Sequence, residues 1–113
     1  MPLAELDRKR IESALTSFCE AVPMHVRDKL RYAFSIRGQT VELWEERPRF
    51  DDPAHWIRHP IAKIRYNATG RSWLLYCQLR DLKWRSYAPR PTAPAFQDLF
   101  DEVKRDPTGI FFG

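Results

Sequence analysis

Lys63, Arg65, Tyr76, Arg80, Lys83, Arg85 and Tyr87, with Trp44 upstream, are the residues whose types could act together: cations among flat aromatic rings. Lys and Arg neutralise phosphate and rings stack on bases, each stack worth about 1–3 kcal/mol. The distribution of charge singles this stretch out. Residues 58 to 90 carry eight Lys/Arg against one Asp/Glu, so their net +7 exceeds the net +4 of the whole 113-residue chain. The flanks are acidic on balance. The same composition also suits an ordinary solvated sheet face, where long cationic stems cover exposed strands and discourage edge pairing. It would equally serve a protein-contact face centred on Trp44, Leu74 and Tyr76.

A second cluster, Asp51, Asp52, His55 and His59, has metal-ligand character, because two histidines four residues apart on a helix could share one ion. Pro60 follows His59 directly, which favours a polar loop with a cap at Asp52 over a metal site. Asp51 or Asp52 with Lys63 has the spacing of a metal-dependent nuclease, but Ile61 stands where a second acid would be needed, unless Glu12 or Glu20 replaced it. No glycine-rich phosphate loop occurs, and no serine or cysteine stands near a histidine in a nucleophilic arrangement. Cys19 and Cys77 lie apart in apolar contexts and read as reduced, buried thiols. No cofactor is implied.

The elements that must position these residues follow from periodicity. Leu3, Leu6, Ile11, Leu15, Phe18, Cys19 and Val22 form one helical stripe over residues 3 to 22, stopped by Pro23. Residues 30 to 37 and 40 to 47 alternate as strands around a Gly38-Gln39 turn. Residues 48 to 60, punctuated by Pro48, Pro53 and Pro60, read as an irregular excursion with a helical turn at Ala54 to Arg58. Residues 61 to 68 and 71 to 79 make a second hairpin through Thr69-Gly70. Leu82 to Tyr87 continues it or adds a fifth strand. Phe96, Leu99, Phe100 and Val103 mark a second amphipathic helix over 95 to 104, and the apolar tail Gly109 to Gly113 should dock on the core.

The expected fold is therefore α+β, in the order α-β-β-β-β-α. An antiparallel sheet of four to five strands has both helices on one face, in a single domain spanning 1–113. Tyr32, Phe34, Ile36, Val41, Leu43, Ala62, Ile64, Tyr66, Trp73, Leu75, Cys77 and Leu79 should face the helices. Period two then sends Arg31, Arg37, Trp44, Lys63, Arg65, Leu74, Tyr76, Arg80, Lys83, Arg85 and Tyr87 outward, with Glu42 and Glu46. The α-β-β-β-α core is similar to that of double-stranded RNA-binding domains. Asp98, Asp101 and Glu102 near the start of the last helix limit that likeness to topology.

The segments Arg47-Pro48-Arg49-Phe50-Asp51-Asp52-Pro53, His59-Pro60-Ile61-Ala62-Lys63, Trp73-Leu74-Leu75-Tyr76 and Asp81-Leu82-Lys83-Trp84-Arg85-Ser86-Tyr87 resemble a family of small bacterial proteins classed as a domain of unknown function. The likeness runs from the first helix to Phe111-Phe112-Gly113. It implies a stand-alone bacterial domain and brings no activity, cofactor or catalytic residue. No apolar run reaches the roughly 20 residues of a membrane span, and the charged start (Glu5, Asp7, Arg8, Lys9, Arg10) is unlike a secretory signal, which places the chain in the cytoplasm. The leading expectation is a non-enzymatic nucleic-acid-binding domain. The alternatives are a protein-interaction or homodimerisation module and, remotely, a metal-dependent nuclease.

Overall fold

Gly38 has φ +58° and is the only residue of its two-residue turn with positive φ, the pattern of a type II′ hairpin. The computed structural model describes residues 3–113 and builds the sheet outward from this turn. Strand β1 (Arg31–Arg37) pairs antiparallel with β2 (Thr40–Pro48), which pairs with β3 (Trp56–Asn67), then β4 (Ser72–Gln78) and β5 (Trp84–Ser86). A two-residue strand β6 (Thr92–Ala93) joins β4 beside β5, so two short pieces share one edge of β4. Helices α1 (Glu5–Glu20) and α2 (Phe96–Arg105) open and close the chain. The architecture is the α+β arrangement expected, with a longer third strand and a split edge.

Both helices cover the same sheet face. Ile11 and Leu15 of α1 and Leu99, Phe100 and Val103 of α2 share one buried cluster with Val41, Leu43, Ile64, Leu75 and Cys77. Phe18 joins the helices through an edge-on contact with Phe100, ring centroids 5.6 Å apart. The stripe on α1 is narrower than its periodicity suggested, for Leu6 is exposed. Leu79 is also exposed, because β4 ends at Gln78 and the chain turns there.

The helix ends are held by neighbouring groups. Arg27 donates to the carbonyls of Val22 at 2.9 Å and Glu20 at 2.8 Å, so its guanidinium satisfies carbonyls at and just beyond the α1 terminus. Asp106 ends α2 in the left-handed region, φ +47°, where aspartate is tolerated better than most residues. Its carboxylate accepts from the Phe111 N–H at 3.0 Å and the Phe112 N–H at 2.8 Å. The apolar tail is thereby fixed on the core as its composition suggested, Phe111 against Tyr87 and Phe112 against Phe18 and Tyr32.

Residues 56 to 60 are strand, not loop or helical turn. The register runs Leu43 with Ala62 and then Trp44 with Pro60, so Ile61 is an extra residue, a β-bulge. Ile61 and Ala62 are both buried, and beyond them the pattern of faces reverses. Pro60 is tolerated because the ladder is already interrupted there. The bulge lets the β2–β3 hairpin run on past the helices as an arm ending in Phe50, which is fully exposed.

Candidate nucleic-acid interface

Directly opposed residues of an antiparallel pair point to the same side. Lys63 of β3 lies opposite Tyr76 of β4, and Arg65 opposite Leu74, while Ile64 and Leu75 between them are buried. Lys63, Arg65, Leu74 and Tyr76 therefore stand on the face away from the helices. Trp84, opposite Gln78 on β5, joins them. The Lys63 ammonium lies 5.0 Å from the Trp84 ring centroid and 5.5 Å from that of Tyr76. Arg65 lies 5.9 Å from the Tyr76 ring and donates to its hydroxyl at 3.1 Å. Neither cation has an acidic side chain within ion-pair distance among the described residues, and nor does Arg37 at the end of β1. Cations that form no ion pair, set over rings on an uncovered sheet, are the electrostatic core of the face, with Glu42 directly opposite Lys63 on β2 as the nearest cross-strand acid.

The arm carries a second aromatic cluster of different character. Because the bulge reverses the pattern, Trp56, Arg58 and Pro60 share the outer face with Trp44 and Glu46. Arg31 stacks 3.9 Å from the Trp56 centroid and Arg58 4.6 Å from that of Trp44. Glu46 binds both guanidiniums, Arg31 at 3.1 Å and Arg58 at 3.3 Å. With its side chain only 14% exposed, Glu46 clamps the stack from beneath. Trp44 does reach the outer face, but Arg58 covers it. Unlike the cations over Tyr76 and Trp84, Arg58 is itself held in place by an ion pair with Glu46.

The segment from 79 to 87 differs most from expectation. Tyr87 is 1% exposed and donates to the Glu102 carboxylate at 2.9 Å, so it is a core residue of the helix side and not a stacking ring. Burial pushes its phenol pKa up. Arg85 lies opposite the buried Cys77 and therefore leaves the sheet on the helix side, bridged to Asp81. Leu82 explains both shifts: its φ of +62° redirects the loop, so Trp84 and Ser86 take the outer positions expected for Lys83, Arg85 and Tyr87. Arg80 and Lys83 are exposed in this loop, outside the strands. Trp84, Arg58 and Trp56 are the residues that sequence reasoning left out. The adjacent apolar pair Ile61-Ala62 was the signal of a bulge, and the Trp56-x-Arg58-x-Pro60 alternation that of a strand before it.

The acidic and histidine residues do not converge. Asp51 is paired with Arg49 at 2.7 Å and Asp52 with His55 at 3.1 Å. His59 is on β3, so the two histidines share no helix. Lys63 is seven strand residues beyond Trp56, about 23 Å at the usual rise per residue, too far to join Asp51 or Asp52 around one ion. Among the described residues no three His, Cys, Asp or Glu side chains gather as ligands. Both cysteines are free thiols, Cys77 buried and Cys19 half-buried, and burial raises the pKa of each.

Fold and face together define a small α+β domain, an antiparallel meander backed on one side by two helices and bare on the other. Among the described residues no helix is long and apolar enough to cross a membrane. The chain belongs to the family described as Domain of unknown function (DUF3024), which matches residues 3–113. No curated protein and no solved structure matches it significantly.

Proposed function

We propose that this domain binds single-stranded nucleic acid, without catalysis, on the outer face of its sheet. The observation that carries the reading is the grouping of Lys63, Arg65, Tyr76 and Trp84, with two cations that form no ion pair among the described residues and two rings half-exposed on an uncovered surface. Single strands offer unstacked bases to such rings, whereas duplex bases are already stacked. A base entering over Tyr76 or Trp84 displaces the Lys63 ammonium, which is then free to pair with the adjoining phosphate. The displaced cation–π interaction is worth only about 0.5–1 kcal/mol at an exposed site, less than the roughly 1–3 kcal/mol of a base stack. Fluorescence anisotropy with labelled single-stranded and duplex oligonucleotides tests this. The expected result is tighter binding of the single strand, weakening as salt rises. Affinity no greater than that of an unrelated protein of equal net charge would remove the proposal.

A second reading, a protein-contact module, is favoured by Phe50. An aromatic side chain fully exposed at the tip of a projecting hairpin, with half-exposed Ile57 on the same arm, is an anchor of the kind that fills a partner's pocket. Light scattering across a concentration series tests the homodimer form of this reading, and a monomer throughout would rule it out.

A further inference from the structure

A cavity of about 650 Å³ lies on the helix side, at the end of the sheet that carries the β1–β2 and β3–β4 turns. That volume is typical of a small-molecule site. Its wall is a continuous run of aromatic side chains. Tyr66 and Trp73 are cross-strand partners with ring centroids 5.1 Å apart, and Trp73 meets Phe96 edge-on at 5.4 Å. Ile11 and Ala95 extend the apolar lining.

The rim is charged. Arg10 of α1 and Arg71 of the β3–β4 turn both line the cavity, and neither has an ion-pair partner among the described residues. Asp7 is the single acid there among the described residues, leaving their net charge at +1. The first turn of α2 borders the same space, and no side chain caps it. Arg71 also has φ +49°, a left-handed conformation that costs a non-glycine residue about 1–2 kcal/mol, although Gly70 stands immediately before it. The turn is thus four residues, 68 to 71, instead of the two expected at Thr69-Gly70. Its last position, where glycine would be relaxed, holds a guanidinium at the cavity mouth.

We infer that this cavity binds a small amphipathic carboxylate, its apolar body against Tyr66, Trp73 and Phe96 and its anionic end held by Arg10 and Arg71. The net +1 of the rim matches a monoanion, and guanidinium is the side chain whose forked donors fit a carboxylate. The residues involved are separate from those of the outer face, so the two sites stand or fall independently.

The probe is 4-phenylbutyrate, titrated into isotope-labelled protein and followed by amide and indole N–H shifts in NMR spectra. The expected result is saturable movement of the Trp73 indole and of the Arg71 and Gln97 amides, with Tyr76 and Trp84 unmoved. Arg71→Gly should weaken binding roughly tenfold, as loss of a charge-assisted hydrogen bond does, while leaving the melting temperature unchanged or higher because glycine relieves the positive φ. Arg10→Ala, at an exposed position on the cavity rim, should weaken binding without loss of fold. Equal affinity for the uncharged 4-phenylbutanol, tighter binding of the dianion phenyl phosphate, or shifts scattered over the surface at millimolar ligand would each overturn the inference.

Discussion

Replacing Lys63 and Arg65 together by alanine probes the proposed interface most directly. Three cations on that half of the face, Arg37, Lys63 and Arg65, form no ion pair among the described residues, Glu42 opposite Lys63 included, and can each meet a phosphate. Each contact to a single strand contributes about 0.7 to the slope of log affinity against log salt, so three predict a slope near −2.1 and roughly a 20-fold loss of affinity between 50 and 200 mM salt. With Arg37 alone remaining, the slope falls to about −0.7 and the loss over the same range to roughly 2.5-fold. Both substituted side chains face solvent, so stability should change by less than about 0.5 kcal/mol, which a thermal melt checks. Anisotropy titrations at four or more salt concentrations give the slopes. A wild-type slope near zero, or an unchanged slope in the double variant, would refute the assignment of these cations to phosphate.

Tyr87→Phe should destabilise the fold by about 1–2 kcal/mol in urea, because Glu102 loses a buried donor, and should leave oligonucleotide affinity unchanged. Asp106→Ala removes the acceptor for two tail N–H groups and should cost about 2 kcal/mol, read in the same way. The Asp81 carboxyl is held below its usual range chiefly by the Arg85 hydrogen bond, and that of Asp101 chiefly by Gln97. A carboxyl whose folded pKa is depressed stabilises above its unfolded value, near pH 4, and loses that contribution as pH falls through the lower folded value. Asp81→Asn should therefore flatten the acid limb of a stability-versus-pH curve slightly, the variant being a little less stable than the parent above about pH 5 and the difference vanishing as pH falls through the folded Asp81 value. Phe50→Ser should leave the melting temperature unchanged, since the ring is fully exposed and packs against no core residue, and should abolish any self-association seen by light scattering.

The two hairpins around Gly38 and Gly70 were legible because period two is strict on either side of them. Val41, Leu43, Ile64, Trp73, Leu75 and Cys77 all face the core as their spacing requires. What escaped the pattern did so at two backbone irregularities. At Ile61 the bulge reverses the faces, and Pro60 made residues 56 to 60 read as a break when they are the start of the longest strand. At Leu82 a positive φ shifts the phase of the next strand, which turned Tyr87 inward and brought Trp84 out. Alternation is a local rule, and one irregular residue is enough to invert everything beyond it. Lys63, Arg65 and Tyr76 were placed correctly because neither irregularity lies between them.

The bulge at Ile61 makes the arm and the body of the sheet separately adjustable. Deleting Ile61 would restore continuous alternation and leave every other residue of the arm on its present face. Trp44 would still meet Pro60 and Glu46 would still hold Arg58, while the local bend and added twist that a bulge gives its strand would be lost. Changes in arm length or sequence beyond residue 60 need not disturb the residues that meet the helices. The projecting hairpin can thus diversify among related chains as an independent module, while the sheet beneath the helices stays under packing constraint.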